Sequence, residues 1–414
     1  MSIWTVASSS VKAIGRIAID NRSWYHGRFT EISLHNDISY DILNEKGGYH
    51  MQEYFKAIED TRHQSYIKHR LCDILVMIMC AVLCGLDDLG TVMVYIQNQA
   101  DFFEQNFGIK ETPSKPTVSR VLRMIDGQQV AEVIIRIMRE KIGESGDVIA
   151  VDGKAIRSTS KDGETHSALQ IITAYLTESG LVLGQEKIHE KTNEIPTFQK
   201  MLSYLNVSGK TVTADAMHCQ KETCKLIVSK GGDYLFGLKE NQKTLHDDVA
   251  LYFQNPPDDA EIQIFSTSEK NGGRIEKRIC RKTTQIKWLC NRDKWPGLNT
   301  ILEVERVVTY KGKTTRERSY YISSCADASA EQLLSIVREH WMIESLHWML
   351  DVVFSEDDCA LQSEEAQITL NCFRKYALLL HRHYLSTLSK KLSVKSNMLN
   401  CLMNNSLLLN VISC

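Results

Sequence analysis

The segment Asp147-Val148-Ile149-Ala150-Val151-Asp152-Gly153-Lys154 is a short apolar run, rich in β-branched residues, that leads into a carboxylate, a glycine and a cation. Such a run predicts a buried β-strand. An acid at the end of a buried strand costs free energy unless it has a partner, so it indicates a functional site. We predict that the strand ends at Asp152 and that Asp152 is the first of three metal-binding carboxylates.

The composition of the 414-residue chain is that of a globular protein, with 43% hydrophobic and 24% charged residues. The formal net charge of −2 gives no sign of a polyanionic partner, so any nucleic-acid surface must be local. The 12 cysteines include no CxxC pair, which favours reduced core thiols over a zinc site. The apolar run 71–86 is shorter than the ~20 residues that a bilayer requires and contains Asp73, so we interpret it as a buried helix.

Hydrophobic periodicity divides the chain into five parts. The first lacks periodicity and is interpreted as an extension outside the fold, and the second is helical throughout. The third is an α/β core, interrupted by a basic β-rich insertion that begins at a Pro-Pro and Asp-Asp break. The predicted boundaries are 1–50 for the extension, 51–146 for the helical domain, 147–255 and 325–385 for the core, 256–324 for the insertion, and 386–414 for an off-pattern tail.

The core contains a recognisable order of strands and helices. After the first strand we predict strands at Ala168–Leu176, Leu181–Ile188, Lys210–Ala216 and Tyr234–Leu238, with a turn at 177–180 joining the second and third. Helices follow the third, fourth and fifth strands. The order β-β-β-α-β-α-β-α predicts the fold class α/β, namely an RNase H-like mixed sheet with flanking helices, a β-rich insertion and an all-helical N-terminal domain.

Two further acids complete the predicted site. Asp215 ends the fourth strand, as Asp152 ends the first. Glu344 falls in a predicted helix from Ala330 to Phe354, on the flank of an apolar stripe formed by Leu334, Val337, Trp341 and Trp348. A carboxylate on a largely buried helix requires a cation, a metal or a raised pKa.

Three carboxylates of this kind predict a magnesium site, with Mn²⁺ as a possible substitute. Magnesium prefers hard oxygen ligands and leaves positions open for water and phosphate oxygens. Two such ions can activate a nucleophile and stabilise the leaving oxygen of a phosphodiester. Asp351 and Glu356 are rival candidates for the third ligand, but Asp351 is nearer the end of the helix.

Two segments are candidates for DNA binding. Ser114, Thr117 and Arg120 lie at the start of a predicted helix, as in DNA-reading helices, although a capped surface helix would also explain them. Between Arg274 and Arg318 there are thirteen Lys or Arg and five acids. This excess suits contacts to a DNA backbone, and a charged, solvated sheet face is the alternative.

These motifs together resemble the DDE transposases of the ISAs1 type, which include the H-repeat-associated proteins of enteric bacteria. The resemblance covers roughly residues 51–385, and its ordered motifs make it specific. The principal matches are Val151-Asp152-Gly153-Lys154, Thr213-Ala214-Asp215-Ala216-Met217, Lys191-Thr192-Asn193-Glu194-Ile195-Pro196, His340-Trp341 with Ile343-Glu344, and Leu346-His347-Trp348.

The resemblance implies DNA transposition in the bacterial cytoplasm, with nucleoid association when DNA is bound. It implies that Asp152, Asp215 and Glu344 are the catalytic, metal-binding triad, and that the partners are double-stranded element ends and target DNA. A homodimer is expected because two element ends must be joined, and no membrane is involved. Further expected phosphate contacts are Lys154, Arg157, Lys239 and Arg338.

The chain departs from the family pattern at Ser345, because the family usually has two residues between the glutamate and Leu-His-Trp. Two other functions therefore remain open. One is a catalytically impaired transposase remnant that acts only as a DNA-binding protein, and the other is a Mg²⁺-dependent repair nuclease. The presence of all three acids favours the transposase.

Overall fold

A computed structural model describes residues 47–86, 88–160, 168–188 and 194–414. Residues 1–46 of the predicted extension lie outside this range. The described N-terminal part is helical, and its second helix is buried along its whole length, as predicted. None of the helices in the described ranges is long and apolar enough to cross a membrane. The helices are α1 Gly47–Phe55, α2 Leu71–Leu83, α3 Leu89–Asn98, α4 Ala100–Phe107, α5 Lys115–Met124 and α6 Gly127–Ile142.

A mixed sheet follows, whose first five strands run in the spatial order β3-β2-β1-β4-β5. The first three strands pair antiparallel, whereas β4 and β5 run parallel to β1. The glycine-containing turn before Leu181 joins β2 to β3, as the sequence predicts. These strands are β1 Val148–Ile156, β2 Leu169–Leu176, β3 Leu181–Ile188, β4 Thr211–Ala214 and β5 Asp233–Leu238.

The β-rich insertion extends the same sheet. Its last strand pairs antiparallel with β5, and the other three add outward in the order β9-β8-β7-β6. The strands of the candidate site and those of the insertion therefore belong to one continuous sheet. The four strands are β6 Gln263–Asn271, β7 Arg274–Thr283, β8 Thr300–Tyr310 and β9 Lys313–Ser323.

Seven more helices complete the described chain. One of them, α11, is buried on every side from Ala366 to His381 and contacts α2 and α6, so the N-terminal helices share a core with the sheet. The predicted tail forms α12 and α13, which bury Met398, Leu408 and Val411. The helices are α7 Glu194–Tyr204, α8 Lys221–Ser229, α9 Lys243–Gln254, α10 Ala330–Val352, α11 Glu364–Ser386, α12 Val394–Met403 and α13 Asn405–Ser413.

The prediction that the first strand ends at Asp152 is wrong. The strand continues to Ile156, and Asp152 lies within it, opposite Thr173 of β2. The reason is that β2 supplies backbone partners as far as Ile156, so the polar residues after Asp152 remain in the ladder.

The predicted apolar stripe of α10 is also wrong in its second half. Leu334 and Val337 are buried, but Trp341 and Trp348 are 55% and 50% exposed. The helix contacts β6 and β7 at its start and β1 and β4 further on, so the two halves bury different faces. At about 100° per residue, Ile343, Leu346 and Leu350 occupy a face nearly opposite to that of Leu334 and Val337.

Candidate active site

The two aspartates are neighbours because their strands are parallel partners. Val151 of β1 pairs with Ala214 of β4. Asp152 and Asp215, which follow these two residues in the sequence, therefore lie side by side. The backbone after Asp215 turns at once into a short 3-10 helix, Ala216–His218. The sheet therefore brings together two acids that are more than sixty positions apart in the sequence.

Helix α10 crosses β1 and β4 and supplies the third acid with two histidines. His340, Glu344 and His347 are four and three residues apart, so they share one face of the helix. His347 Nδ1 lies 3.3 Å from Asp152 Oδ2, and His340 Nε2 lies 3.7 Å from Asp215 Oδ1. Each aspartate thus has its own histidine, one on either side of Glu344.

The charges of these groups act on one another. His340 holds the pKa of Asp215 below its ordinary value despite partial burial of that carboxylate, and Lys239 contributes in the same direction. Glu344 is an exposed residue, and its carboxyl group is partly desolvated by the surrounding protein. This desolvation, followed by the charges of Asp152 and Asp215, raises the pKa of Glu344 to about 7. The three predicted acids therefore form one interacting cluster.

The donor chemistry of this cluster fits a divalent cation, because carboxylate oxygens are the ligands that Mg²⁺ and Mn²⁺ prefer. A cation would also relieve the repulsion that raises the pKa of Glu344. However, no group of three His, Cys, Asp or Glu side chains among the described residues is arranged as a ready-made metal site. Asp152, Asp215 and Glu344 are thus near one another without converging on a single point.

Two further side chains near the aspartates were missed by the sequence reasoning. His218 is fully buried, and its Nε2 lies 2.9 Å from Glu194 Oε1 at the start of α7. The Glu194 carboxylate lies against Gly153, where a Cβ would come within 2.6 Å of Glu194 Oε1. The spacing of Asp215 and His218 was a usable signal, since a short turn after a strand keeps both residues near its end. Glu194 could not be found this way, because its approach depends on tertiary packing.

Of the predicted phosphate contacts, Lys154 and Arg157 lie beside acids of the chain. Lys154 Nζ is 2.7 Å from both Asp351 Oδ1 and Glu356 Oε2. Arg157 is 68% exposed, and its Nε lies 3.7 Å from Asp357 Oδ2. The rival third ligands, Asp351 and Glu356, are therefore paired with Lys154.

The other predicted contacts are distributed over three regions. Lys239 is exposed at the end of β5, where its charge acts on Asp215 and Glu344. Arg338 Nη2 pairs with Glu269 Oε1 at 2.7 Å. Ser114 and Arg120 are exposed and Thr117 is half-buried at the start of α5, where the Ser114 and Thr117 hydroxyls lie 3.0 Å apart. Of these five residues, Lys239 is the one that borders the acid cluster.

Many basic side chains of the insertion lie beside acids on the same strand or on a neighbouring strand. Glu276 accepts contacts from Arg274, Arg278 and Arg306 at 3.0, 2.6 and 2.5 Å. Glu305 lies 3.4 Å from Arg316 and 3.5 Å from Arg318. These ion pairs neutralise part of the local excess of positive charge. A DNA contact along the insertion therefore stays a prediction.

Comparison with known proteins identifies the family. The family described as "Transposase DDE domain" matches residues 143–380, and the family described as "DDE_Tnp_1-associated" matches residues 52–138. The first match covers more than half of the chain and contains the acid cluster, and the second covers most of the N-terminal helices.

Relatives with curated names agree with this assignment. The "H repeat-associated putative transposase YhhI" of Escherichia coli K12 is 34% identical over 343 residues, covering 79% of this chain and 89% of that protein. The "Putative transposase YncI" of Escherichia coli O157:H7 is 33% identical over 340 residues, covering 80% and 86%. A solved piggyBac transposase synaptic complex with hairpin DNA gives a TM-score of 0.42 at 13% identity, covering 90% of this chain and 80% of that one. The chain belongs to the DDE transposase family that includes the H repeat-associated proteins.

Proposed function

We propose that this chain is a transposase that nicks DNA at the ends of an insertion element and transfers the freed strand to target DNA. We propose further that β1–β5 and their helices form an RNase H-like core. The observation that supports this most is the meeting of Asp152, Asp215 and Glu344 from three separate elements, with the pKa of Glu344 raised by burial and by the other two acids. Acids that a fold brings together against their mutual repulsion favour a cation-binding role.

In this proposal Asp152, Asp215 and Glu344 hold Mg²⁺, or Mn²⁺ in its place. When bound, the metal would activate the attacking water or 3′-hydroxyl and stabilise the leaving oxygen. His340 and His347 orient the two aspartates from α10, and each also has a buried ring nitrogen that lacks a hydrogen-bond partner within the described ranges. Lys239 lies at the same edge and is placed to attract a phosphate.

The proposed partner is duplex DNA carrying the terminal repeats of the element. Lys239 would contact the strand next to the acids, and the exposed start of α5 with Ser114, Thr117 and Arg120 offers donors at a helix N-terminus. Phosphate contacts of this kind position DNA without specifying its sequence. A homodimer would hold the two element ends that strand transfer joins.

The test incubates the purified full chain with a labelled duplex that carries the terminal repeat, in Mg²⁺ or Mn²⁺. We expect nicking by the wild type. Asp152→Ala, Asp215→Ala and Glu344→Ala should each lower the rate at least about a hundredfold, since metal assistance contributes several kcal/mol. Asp247→Ala is the matched control, because Asp247 is an exposed acid of α9 that pairs with Lys243.

Each outcome separates the candidate functions. If Glu344→Ala nicks as fast as the wild type, the assignment of the third acid is wrong. If the wild type retains the duplex in a gel shift but cuts nothing with either metal, the chain is a DNA-binding remnant. If it cuts unrelated duplexes equally well and never joins strands, the nuclease function is supported instead.

A further inference from the structure

Lys154 of β1 lies on the same face of the strand as Asp152, two residues further along. Its side chain is only 9% exposed, and its ammonium group lies 2.7 Å from Asp351 Oδ1 and 2.7 Å from Glu356 Oε2. A third carboxylate, that of Asp357, is 3.9 Å away. The ammonium group is therefore surrounded by acids of this chain.

The carboxylates around Lys154 come from the end of α10 and from the turn that follows it. Asp351 is the last acid of α10, and Glu356 begins the short 3-10 helix Glu356–Asp358. Glu356 is fully buried and also receives contacts from α11, at 3.3 Å from Arg374 Nη1 and 2.9 Å from Asn371 Nδ2. Lys154 thereby connects β1, α10 and α11.

This link runs beside the candidate active site. Lys154 follows Asp152 by about 6–7 Å along β1. Asp351 follows Glu344 by seven residues, which is about 10 Å and nearly two full turns of α10. The contact between Lys154 and Asp351 therefore fixes the position of α10 along β1 and its rotation about its own axis. Those two variables also set the distance between Asp152 and Glu344.

Asp152 and Asp215 repel Glu344, and this repulsion opposes the packing of α10 on β1. Lys154 adds an attraction between α10 and β1, with a cation that lies among acids instead of facing solvent. A phosphate could reach its ammonium group only by displacing two carboxylates, one of them fully buried.

We infer that Lys154 is a positioning residue, which sets the spacing of the metal-binding acids through Asp351 and Glu356, and that it does not contact DNA. This inference rests on the proposed function. It replaces the expectation from the family resemblance that Lys154 binds a phosphate. Residues that hold metal ligands in place typically change metal affinity 10–100-fold when they are altered.

The test compares Lys154→Met with the wild type in two equilibrium measurements. The first is Mn²⁺ affinity, from electron paramagnetic resonance of free Mn²⁺. The second is affinity for the terminal-repeat duplex over a salt series in EDTA, from fluorescence anisotropy. We expect Mn²⁺ to bind at least about tenfold more weakly, with DNA affinity and its salt slope unchanged. Lys154→Arg should restore part of the Mn²⁺ affinity because it keeps the charge.

Two further variants distinguish a specific loss of Mn²⁺ affinity from a loss caused by unfolding. Asp351→Asn keeps the shape of its side chain and leaves Lys154 paired with Glu356, so it should fold and still weaken Mn²⁺ binding. Lys187→Met is the matched control, because Lys187 lies on the far strand β3 and pairs with Glu364 of α11. It should leave both affinities unchanged.

Three results would be decisive. Weaker DNA binding by Lys154→Met with a salt slope reduced by about one, at unchanged Mn²⁺ affinity, would make Lys154 a phosphate contact and overturn the inference. Unchanged Mn²⁺ affinity in Asp351→Asn, together with wild-type behaviour of any folded Lys154 variant, would also overturn it. A wild type that neither binds Mn²⁺ nor nicks DNA would instead refute the proposed function.

Discussion

Gly153 shows how closely the backbone next to the acids is packed. On one side of it in the sequence is Asp152 and on the other is Lys154, while the Glu194 carboxylate occupies the space where a Cβ would project. Glu194 cannot simply move aside, because it is the partner of the buried His218. A glycine at this position therefore permits the contact between Glu194 and His218.

Gly153→Ala should destabilise the fold by about 1–3 kcal/mol, because the new methyl group displaces Glu194 and leaves a buried histidine unpaired. Urea unfolding measures the change. Gly237→Ala in β5 is the control, since its Cβ would have ordinary contacts of 3.6 Å and more, and it should shift stability by less than about 1 kcal/mol. Equal effects of the two substitutions on stability would contradict the claim that Gly153 is needed for the contact between Glu194 and His218.

Residue types alone were enough to select the three acids of the proposed site. Asp152, Asp215 and Glu344 could be selected because an acid next to a buried strand or on an apolar helix has no packing value. The same reasoning could not distinguish Lys154 from Lys239, which are both cations near an acid. In the structure, Lys154 is buried among carboxylates, whereas Lys239 is exposed. This difference depends on how α10 and α11 pack.

At the scale of elements, α10 packs on two hydrophobic cores, one formed with the insertion and one formed with β1 and α11. Between them it contributes Glu344 and two histidines to the candidate site. Its first half packs on the insertion and its second half on β1 and α11, so its apolar face changes along its length. Periodicity predicts a single face for a whole helix, and this is why it failed for Trp341 and Trp348. The strand order succeeded because each strand is a separate apolar run with its own turn signals.

The buried ionic cluster at the end of α10 makes stability depend on pH. Burial alone would raise the pKa of Glu356, but Lys154 and Arg374 outweigh it and lower the pKa to about 2, below the ordinary value of 4.5. A carboxyl group whose pKa is lower in the folded state stabilises the fold above its unfolded pKa. That contribution is lost as the pH falls from about 4.5 towards 2.

Glu356→Gln should therefore be less stable than the wild type near neutral pH, by about 3–5 kcal/mol, because it leaves buried cations without their anion. The difference in unfolding free energy between the two proteins should shrink as the pH falls below about 4.5, by up to about 1.4 kcal/mol per unit. Urea unfolding at a series of pH values from 3 to 7 measures it. A difference that stays constant over this range would contradict the lowered pKa.

At the scale of the whole molecule, the C-terminal helices close the core that α11 passes through. His381 of α11 lies 2.9 Å from the Leu83 carbonyl oxygen and 2.8 Å from Asn397 of α12. Leu408 of α13 is fully buried in the same core. The tail was predicted to be off-pattern because it departs from the family motifs, whereas its apolar residues are sufficient for two packed helices.

Leu408→Ala should destabilise the chain by about 2–5 kcal/mol, as expected for a cavity in a core. Leu399→Ala is the matched control, because Leu399 is 55% exposed on α12, and it should cost less than about 0.5 kcal/mol. Thermal unfolding of both variants checks the difference. Similar unfolding temperatures would mean that the tail does not contribute to the core.

In the proposed function, Asp152, Asp215 and Glu344 hold one metal site between β1, β4 and α10. Iron-mediated cleavage tests this assignment, because Fe²⁺ bound in place of Mg²⁺ generates radicals that cut the backbone near its ligands. We predict that the full chain with Fe²⁺, ascorbate and peroxide gives fragments ending near residues 152, 215 and 344, and that excess Mg²⁺ suppresses all three together. Cuts at other positions, or cuts near only one of the three that Mg²⁺ leaves unchanged, would contradict it.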